Sequence, residues 1–259
     1  MLLTGAVSGV IAGLLGVGGG IVIVPVLEAV LEILGVDAAF RMHIAVATSL
    51  AVIIPTSISS AVAHNRRQSV DHGVVRSWSP FIFFGAVAGI VISASVSGRF
   101  LAGVFATIAA ILAINMIAHF GDRKLGDDLP RSPLLPVLPF SIGTISTLMG
   151  IGGGSMTVPA LTVYNRPIHL AVGTSALLGL VIAVPAAIGY IVTGWGNTLL
   201  PNGSFGYLNL FGFALITPTS VLFAPVGAKI AHAISRRRLS ILFGLFLLTA
   251  SIRMGYQAF

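Results

Sequence analysis

Gly16-Val17-Gly18-Gly19-Gly20-Ile21-Val22-Ile23-Val24-Pro25 stands in the middle of a long apolar run, and Gly150-Ile151-Gly152-Gly153-Gly154 with Pro159 after it repeats the pattern 134 residues later. Gly9/Gly143 and Leu14/Leu148 keep the same spacing. Each glycine inside a helix costs about 1 kcal/mol relative to alanine, so both clusters mark helix breaks. Equivalent breaks in two membrane-length segments are the pattern of a transport protein, in which discontinuous helices expose backbone groups to a bound solute.

Composition sets the same class. Of 259 residues, 56% are hydrophobic and 8% charged, against about 25% charged in a soluble domain. The formal charge of +7 comes from 14 Lys+Arg and 7 Asp+Glu. The cations lie between apolar stretches and read as orientation signals rather than as a nucleic-acid surface. The absence of cysteine excludes disulfides and thiolate metal sites. Met1-Leu2-Leu3-Thr4 carries no basic leader region and reads as the beginning of the first membrane segment.

Eight apolar segments cover about 2–34, 43–63, 79–97, 100–118, 134–164, 168–193, 208–232 and 239–258. Six suit a single crossing of about 20 residues. The first and fifth exceed thirty residues and are halved by their glycine clusters, which makes each a discontinuous helix or a re-entrant hairpin. His43 and Thr48-Ser49 match His169 and Thr174-Ser175 at an offset of 126, and Pro80/Pro218, Gly89/Gly227, Leu101/Leu239 and Phe105/Phe243 match at 138. The expected architecture is an all-α integral membrane protein of two homologous four-segment repeats, residues 1–120 and 134–259, joined by a cytoplasmic linker over 121–133.

Loop charge favours an inverted arrangement. If segments one and five return to the face they entered, one face collects Arg66, Arg67, Arg76, Arg123, Lys124, Arg131, Arg166, Lys229 and Arg236 to Arg238, against Arg41 and Arg99 on the other. Lys and Arg mark the cytoplasmic face. Eight full crossings give no such bias. The hairpin arrangement puts both termini outside the cytoplasm.

The paired G-x-G-G-G-x-x-x-x-P clusters, each followed by a His-initiated segment carrying a Thr-Ser pair, resemble the sulfite exporter TauE/SafE family over essentially the whole chain. Ala47 departs from the pattern, since the second repeat and the family usually have glycine there, as at Gly173. The resemblance implies a multi-pass inner-membrane permease that exports small sulfur-containing anions such as sulfite or organosulfonates.

The residues themselves give a site. A half-helix that starts after a glycine break leaves its first N–H groups unpaired at its positive end, and in hydrocarbon those donors need protein, water or ligand. An oxyanion supplies that need without a charged side chain. Gly18, Gly19, Gly20, Gly152, Gly153 and Gly154 are therefore expected to face substrate, with Ser155 and Thr157 adding hydroxyls; the alternative is that the glycines only permit tight helix packing. Thr48, Ser49, Thr174 and Ser175 are expected to donate to the anion, or else to bond back to the preceding turn. His43 and His169 could gate or carry a proton, or be interfacial. Glu28 and Glu32 read as exposed near a segment end, and Arg41 and Arg166 as anchors.

No H-E-x-x-H, cysteine nucleophile or intramembrane carboxylate pair is present, so no catalytic residue is assigned, and no metal or cofactor. The partners expected are a small anion and the bilayer; proton coupling and a homo-oligomer stay open. A passive anion channel and a permease for a non-sulfur organic anion are the alternatives.

Overall fold

In a computed structural model the chain is described over residues 1–15, 19–66, 68–118, 136–230 and 236–258. These residues form α1 Leu2–Leu15, α2 Gly20–Ile33, α3 Ala38–Asn65, α4 His72–Ser95, α5 Gly98–Ala118, α6 Val137–Met149, α7 Gly154–Val163, α8 Ile168–Thr193, the strands β1 Ser204–Phe205 and β2 Leu208–Asn209, α9 Leu210–Ile230 and α10 Arg236–Ala258. The linker 121–133, Gly18 and Arg67 lie outside the described residues.

Five helices, α3, α4, α5, α8 and Leu210–Gly227 of α9, are long and apolar enough to cross a membrane. The chain is thus an all-helical, multi-pass membrane protein. The run 2–34 is divided into α1 and α2, and the run 134–164 into α6 and α7, at the two glycine clusters. At 1.5 Å per residue none of the four halves reaches the roughly 30 Å of a bilayer core. The antiparallel β1–β2 hairpin, which turns at Gly206 with φ +58°, was not signalled by the sequence pattern.

Acidic side chains start two of the long helices. Asp37 accepts the Ala39 N–H, and Asp71 accepts those of Gly73 and Val74, satisfying first-turn donors. Trp78, Phe105, Ile44, Leu50, Ile82 and Tyr190 fill the core between the helices.

The packing is crossed between the halves. α1 lies on α9, while α6 lies on α4. A Cβ on Gly9 would strike the Ser220 carbonyl, and one on Gly227 the Val10 carbonyl; likewise Gly143 abuts the Ile82 carbonyl and Gly89 that of Thr144. These four close approaches are pairs at the spacings of 134 and 138 seen in the sequence. Small residues let helix backbones approach this closely where no hydrophobic force separates helix from lipid.

Helix directions follow from which residues meet. α9 runs parallel to α3, since Asn209 meets Thr48 and Ile216 meets Val52. α1 runs parallel to α9, with Gly5 at Ile216 and Val10 at Gly227. α2 runs antiparallel to α3, from Gly20 at Ile53 to Glu28 at Arg41. α8 is antiparallel to α3, with Gly173 beside His64 and Gly179 beside Ser57.

Filling one crossed contact should loosen the whole fold. Gly143→Ala and Gly227→Ala are each expected to lower stability by about 1–3 kcal/mol, the usual cost of overpacking. Gly103→Ala, whose added carbon would meet only Ala258 at 3.6 Å, is expected to be neutral. Thermal unfolding of detergent-purified protein checks this; equal midpoints for all three would contradict it.

Candidate functional site

The two breaks meet. Gly150 ends α6 in the left-handed region, φ +67°, and its N–H and that of Ile151 donate to the carbonyls of Thr147 and Ser146. A side chain at Gly150 would press on Val46 Cα at 2.8 Å, so glycine is required on both conformational and steric grounds. The Gly150 carbonyl accepts the Ser49 hydroxyl at 2.7 Å. Gly20, first residue of α2, stands against that same carbonyl. Gly20, Ser49 and Gly150 therefore form one buried junction halfway along α3.

Two half-helices start close to it. α2 begins after Gly19, φ +77°, and α7 after Gly153, and neither N-cap supplies a side-chain acceptor. The Gly19 carbonyl takes the N–H groups of Val22 and Ile23, and the Gly153 carbonyl those of Met156 and Thr157. The N–H groups of Gly154 and Ser155 find no acceptor among the described residues. Gly152, Gly153 and Gly154 are buried, and Ser155 is half-buried with its hydroxyl unpaired among the described residues.

The Thr-Ser pairs are tied into the frame. Thr48 Oγ1 accepts the Asn209 N–H at 3.0 Å, and Thr174 Oγ1 accepts the Asp71 N–H at 2.9 Å. Asp71 and Asn209 occupy equivalent positions, and each side chain also accepts first-turn N–H groups, of Gly73 and Val74 in α4 and of Gly212 in α9. Each threonine thus pins the start of a helix that belongs to the other half. Each hydroxyl proton stays available for donation, since the oxygen is the acceptor in these bonds. Ser175 Oγ donates back to the Val172 carbonyl at 2.8 Å, the local alternative weighed above.

The two histidines part company. His43 is 6% exposed, bonds the Ser93 carbonyl through Nε2 at 3.2 Å and stacks on Tyr207 at 5.0 Å. The interfacial reading fails for it, because α4 and the β-hairpin cover the start of α3. His169 is exposed at the start of α8. Tyr190, whose hydroxyl donates to the Thr147 carbonyl at 3.4 Å, and Tyr207 were not singled out by the sequence.

The reading of Glu28 as exposed is corrected. Its side chain is 1% exposed, held by Arg41 at 3.6 Å, Arg253 at 3.7 Å and the Gln257 amide at 2.9 Å. Glu32, 46% exposed, contacts the same arginines at 3.0 and 2.9 Å. The network ties α2 to α3 and α10. Sequence spacing could not find it, because Arg253 and Gln257 lie more than 220 residues from the glutamates they meet.

Burial decides which of these carboxylates matters to stability. Glu28→Ala leaves two arginines without their buried partner and is expected to cost about 3–5 kcal/mol. Glu32→Ala, at the half-exposed rim, should cost about 1 kcal/mol or less. Unfolding of the two variants in detergent separates them, and equal losses would contradict the assignment.

Comparison with known proteins agrees with this architecture. The model of the sulfite exporter TauE/SafE family matches residues 1–254. A "Probable membrane transporter protein" of Haemophilus influenzae is 36% identical over 255 residues, covering 98% of this chain and 96% of that protein. The Bacillus subtilis "Probable membrane transporter protein YunE" is 28% identical across 80% of this chain and 84% of its own. A "Probable membrane transporter protein" of Methanocaldococcus jannaschii is 25% identical over 96% and 94%. No solved structure matches at a significant level. On the match to the family model along nearly its whole length, the chain belongs to the sulfite exporter TauE/SafE family of membrane transporters.

Proposed function

We propose that this chain is a secondary carrier that exports small sulfur-containing anions, such as sulfite or organosulfonates, across the cell inner membrane, binding them where its two broken helices meet. The observation that carries this reading is the junction of Gly20, Ser49 and Gly150 beside two uncapped half-helix N-termini. Such ends attract an anion through backbone N–H groups and the helix dipole. Gly19, Gly20, Gly152 to Gly154, Ser49, Ser155 and Ser175 line the approach, with Thr48 and Thr174 able to add hydroxyl donors. A site without a guanidinium or ammonium at its centre replaces the anion's hydration by neutral donors, which favours release as well as capture. Gly18 completes the first cluster in sequence only.

The two halves work as inverted repeats in this reading, with segments one and five as re-entrant hairpins. The antiparallel course of α3 and α8, and of α1 and α2 as traced through α9 and α3, supports it. So does the loop-charge bias, which assigns 66–76, 121–133 and 229–238 to the cytoplasm and both termini to the periplasm. Because the chain has no cysteine, single cysteines at Ser69 and Ser235 report sidedness directly. Labelling of both from the cytoplasm is expected; labelling from opposite sides would overturn the inverted arrangement.

Proteoliposomes loaded with sulfite should exchange it saturably for external sulfite, with sulfate, thiosulfate, sulfoacetate and small carboxylates as competitors. Flux that never saturates would make the protein a channel, and preference for carboxylates would remove sulfur from the substrate.

A further inference from the structure

The two breaks differ in backbone and in side chains: Gly19, before α2, is left-handed at φ +77°, whereas Gly153, before α7, is right-handed at φ −51°. Around the second break, two polar atoms flank the space left by the missing side chain of Gly179 on α8, and a third lies beside Gly153. A Cβ built there would lie 3.2 Å from Ser57 Oγ and 3.8 Å from the Gly153 nitrogen. Thr157 Oγ1 is 3.3 Å from where a Cβ on Gly153 would stand. Thr157 is 0% exposed and its hydroxyl has no partner among the described residues. Ser57 is 3% exposed. Ile182, whose Cδ1 would lie 2.9 Å from that Gly153 Cβ, forms an apolar wall.

The equivalent place at the first break is closed. At the offsets of 126 and 134, Gly179 is replaced by Ile53, Ser57 by Ala183 and Thr157 by Ile23. All three are 0% exposed, and Ile53 Cδ1 reaches within 2.8 Å of a Cβ on Gly20. Thr56 takes the place of Ile182, and its hydroxyl is engaged by the carbonyls of Val52 and Ile53.

We propose that the transporter binds one oxyanion per chain, in a notch at the second break formed by the Gly153 N–H, Ser57, Thr157 and the bare face of Gly179, with no matching notch among the described residues of the first break. An oxyanion with three oxygens on one centre, as in a sulfite or sulfonate group, can present an acceptor to each donor. The Ser57 and Thr157 hydroxyls and the Gly153 N–H are neutral, so the buried anion is held by hydrogen bonds and by the start of the α7 dipole. The unpaired Thr157 hydroxyl supports a ligand here, because a buried donor without a partner is costly.

This inference rests on the anion-carrier reading, and the test separates the two. Titration calorimetry of the full-length protein in detergent uses sulfite, sulfate and sulfoacetate as probes. Wild type is expected to bind one anion per chain. Ser57→Ala and Thr157→Val should each weaken binding by about ten- to a hundredfold, the effect of one lost buried partner. Gly179→Ala, which needs only a small shift of a hydroxyl to fit, should abolish binding with the melting temperature retained; if it does not fold, the other two variants decide. Ile53→Val, on the closed side, should bind as wild type. Unchanged affinity in both Ser57→Ala and Thr157→Val, or two anions per chain, would overturn the notch and leave the carrier reading standing. No binding and no exchange of any probe by wild type would overturn the carrier reading itself.

Discussion

A polypeptide inside hydrocarbon has to find a partner for every backbone polar group, and two deliberate helix breaks make that requirement acute. The fold answers it locally and across the halves. The freed carbonyl of Gly150 is taken by the Ser49 hydroxyl of α3. The N–H groups that open α4 and α9 are met by Asp71 and Asn209, whose own N–H groups rest on Thr174 and Thr48. Each half thus provides the hydrogen-bond acceptors at a helix start of the other. Among the described residues, the Ser155 and Thr157 hydroxyls at the start of α7 are left without a partner.

Much of this was legible in the sequence, and the reasons are physical. Glycine clusters and apolar run lengths predict broken and unbroken helices because they act through backbone cost and span. The duplicated offsets carried further than expected: each of Gly9, Gly143, Gly89 and Gly227 stands at a close helix contact, with Ser220, Ile82, Thr144 and Val10 respectively. The Thr-Ser pairs were conspicuous as hydroxyls in an apolar setting, yet their acceptor role was invisible. It depends on Asp71 and Asn209, which are 103 and 161 residues away from their threonines. Glu28 was misread for the same reason, since nothing local shows that α10 covers it. Gly179 and Ser57 were passed over because a lone glycine or serine in a membrane helix is common and gains meaning only from its neighbours.

The two halves differ in their charged side chains. Thr162 and Arg166 stand at the places of Glu28 and Glu32 in the second half, and among the described residues Arg166 pairs with Asp71 at 3.8 Å. A buried multi-centre ion network and a single half-exposed pair differ widely in what it takes to separate them. The two sets of contacts are consequently unequal in strength, an imbalance that a strictly duplicated sequence could not produce.

The crossed packing has a consequence for how the protein is made. Ser8 of α1 meets Ser220 of α9 across 212 residues of chain. During synthesis α1 therefore enters the bilayer long before the surface it will occupy has been translated. Its glycine face must wait beside lipid or another helix until the last quarter of the chain arrives. Neither half can complete its own packing, because the fourth helix of each is the seat for the first helix of the other. Such a topology makes late chain truncation far more damaging than the number of missing residues suggests.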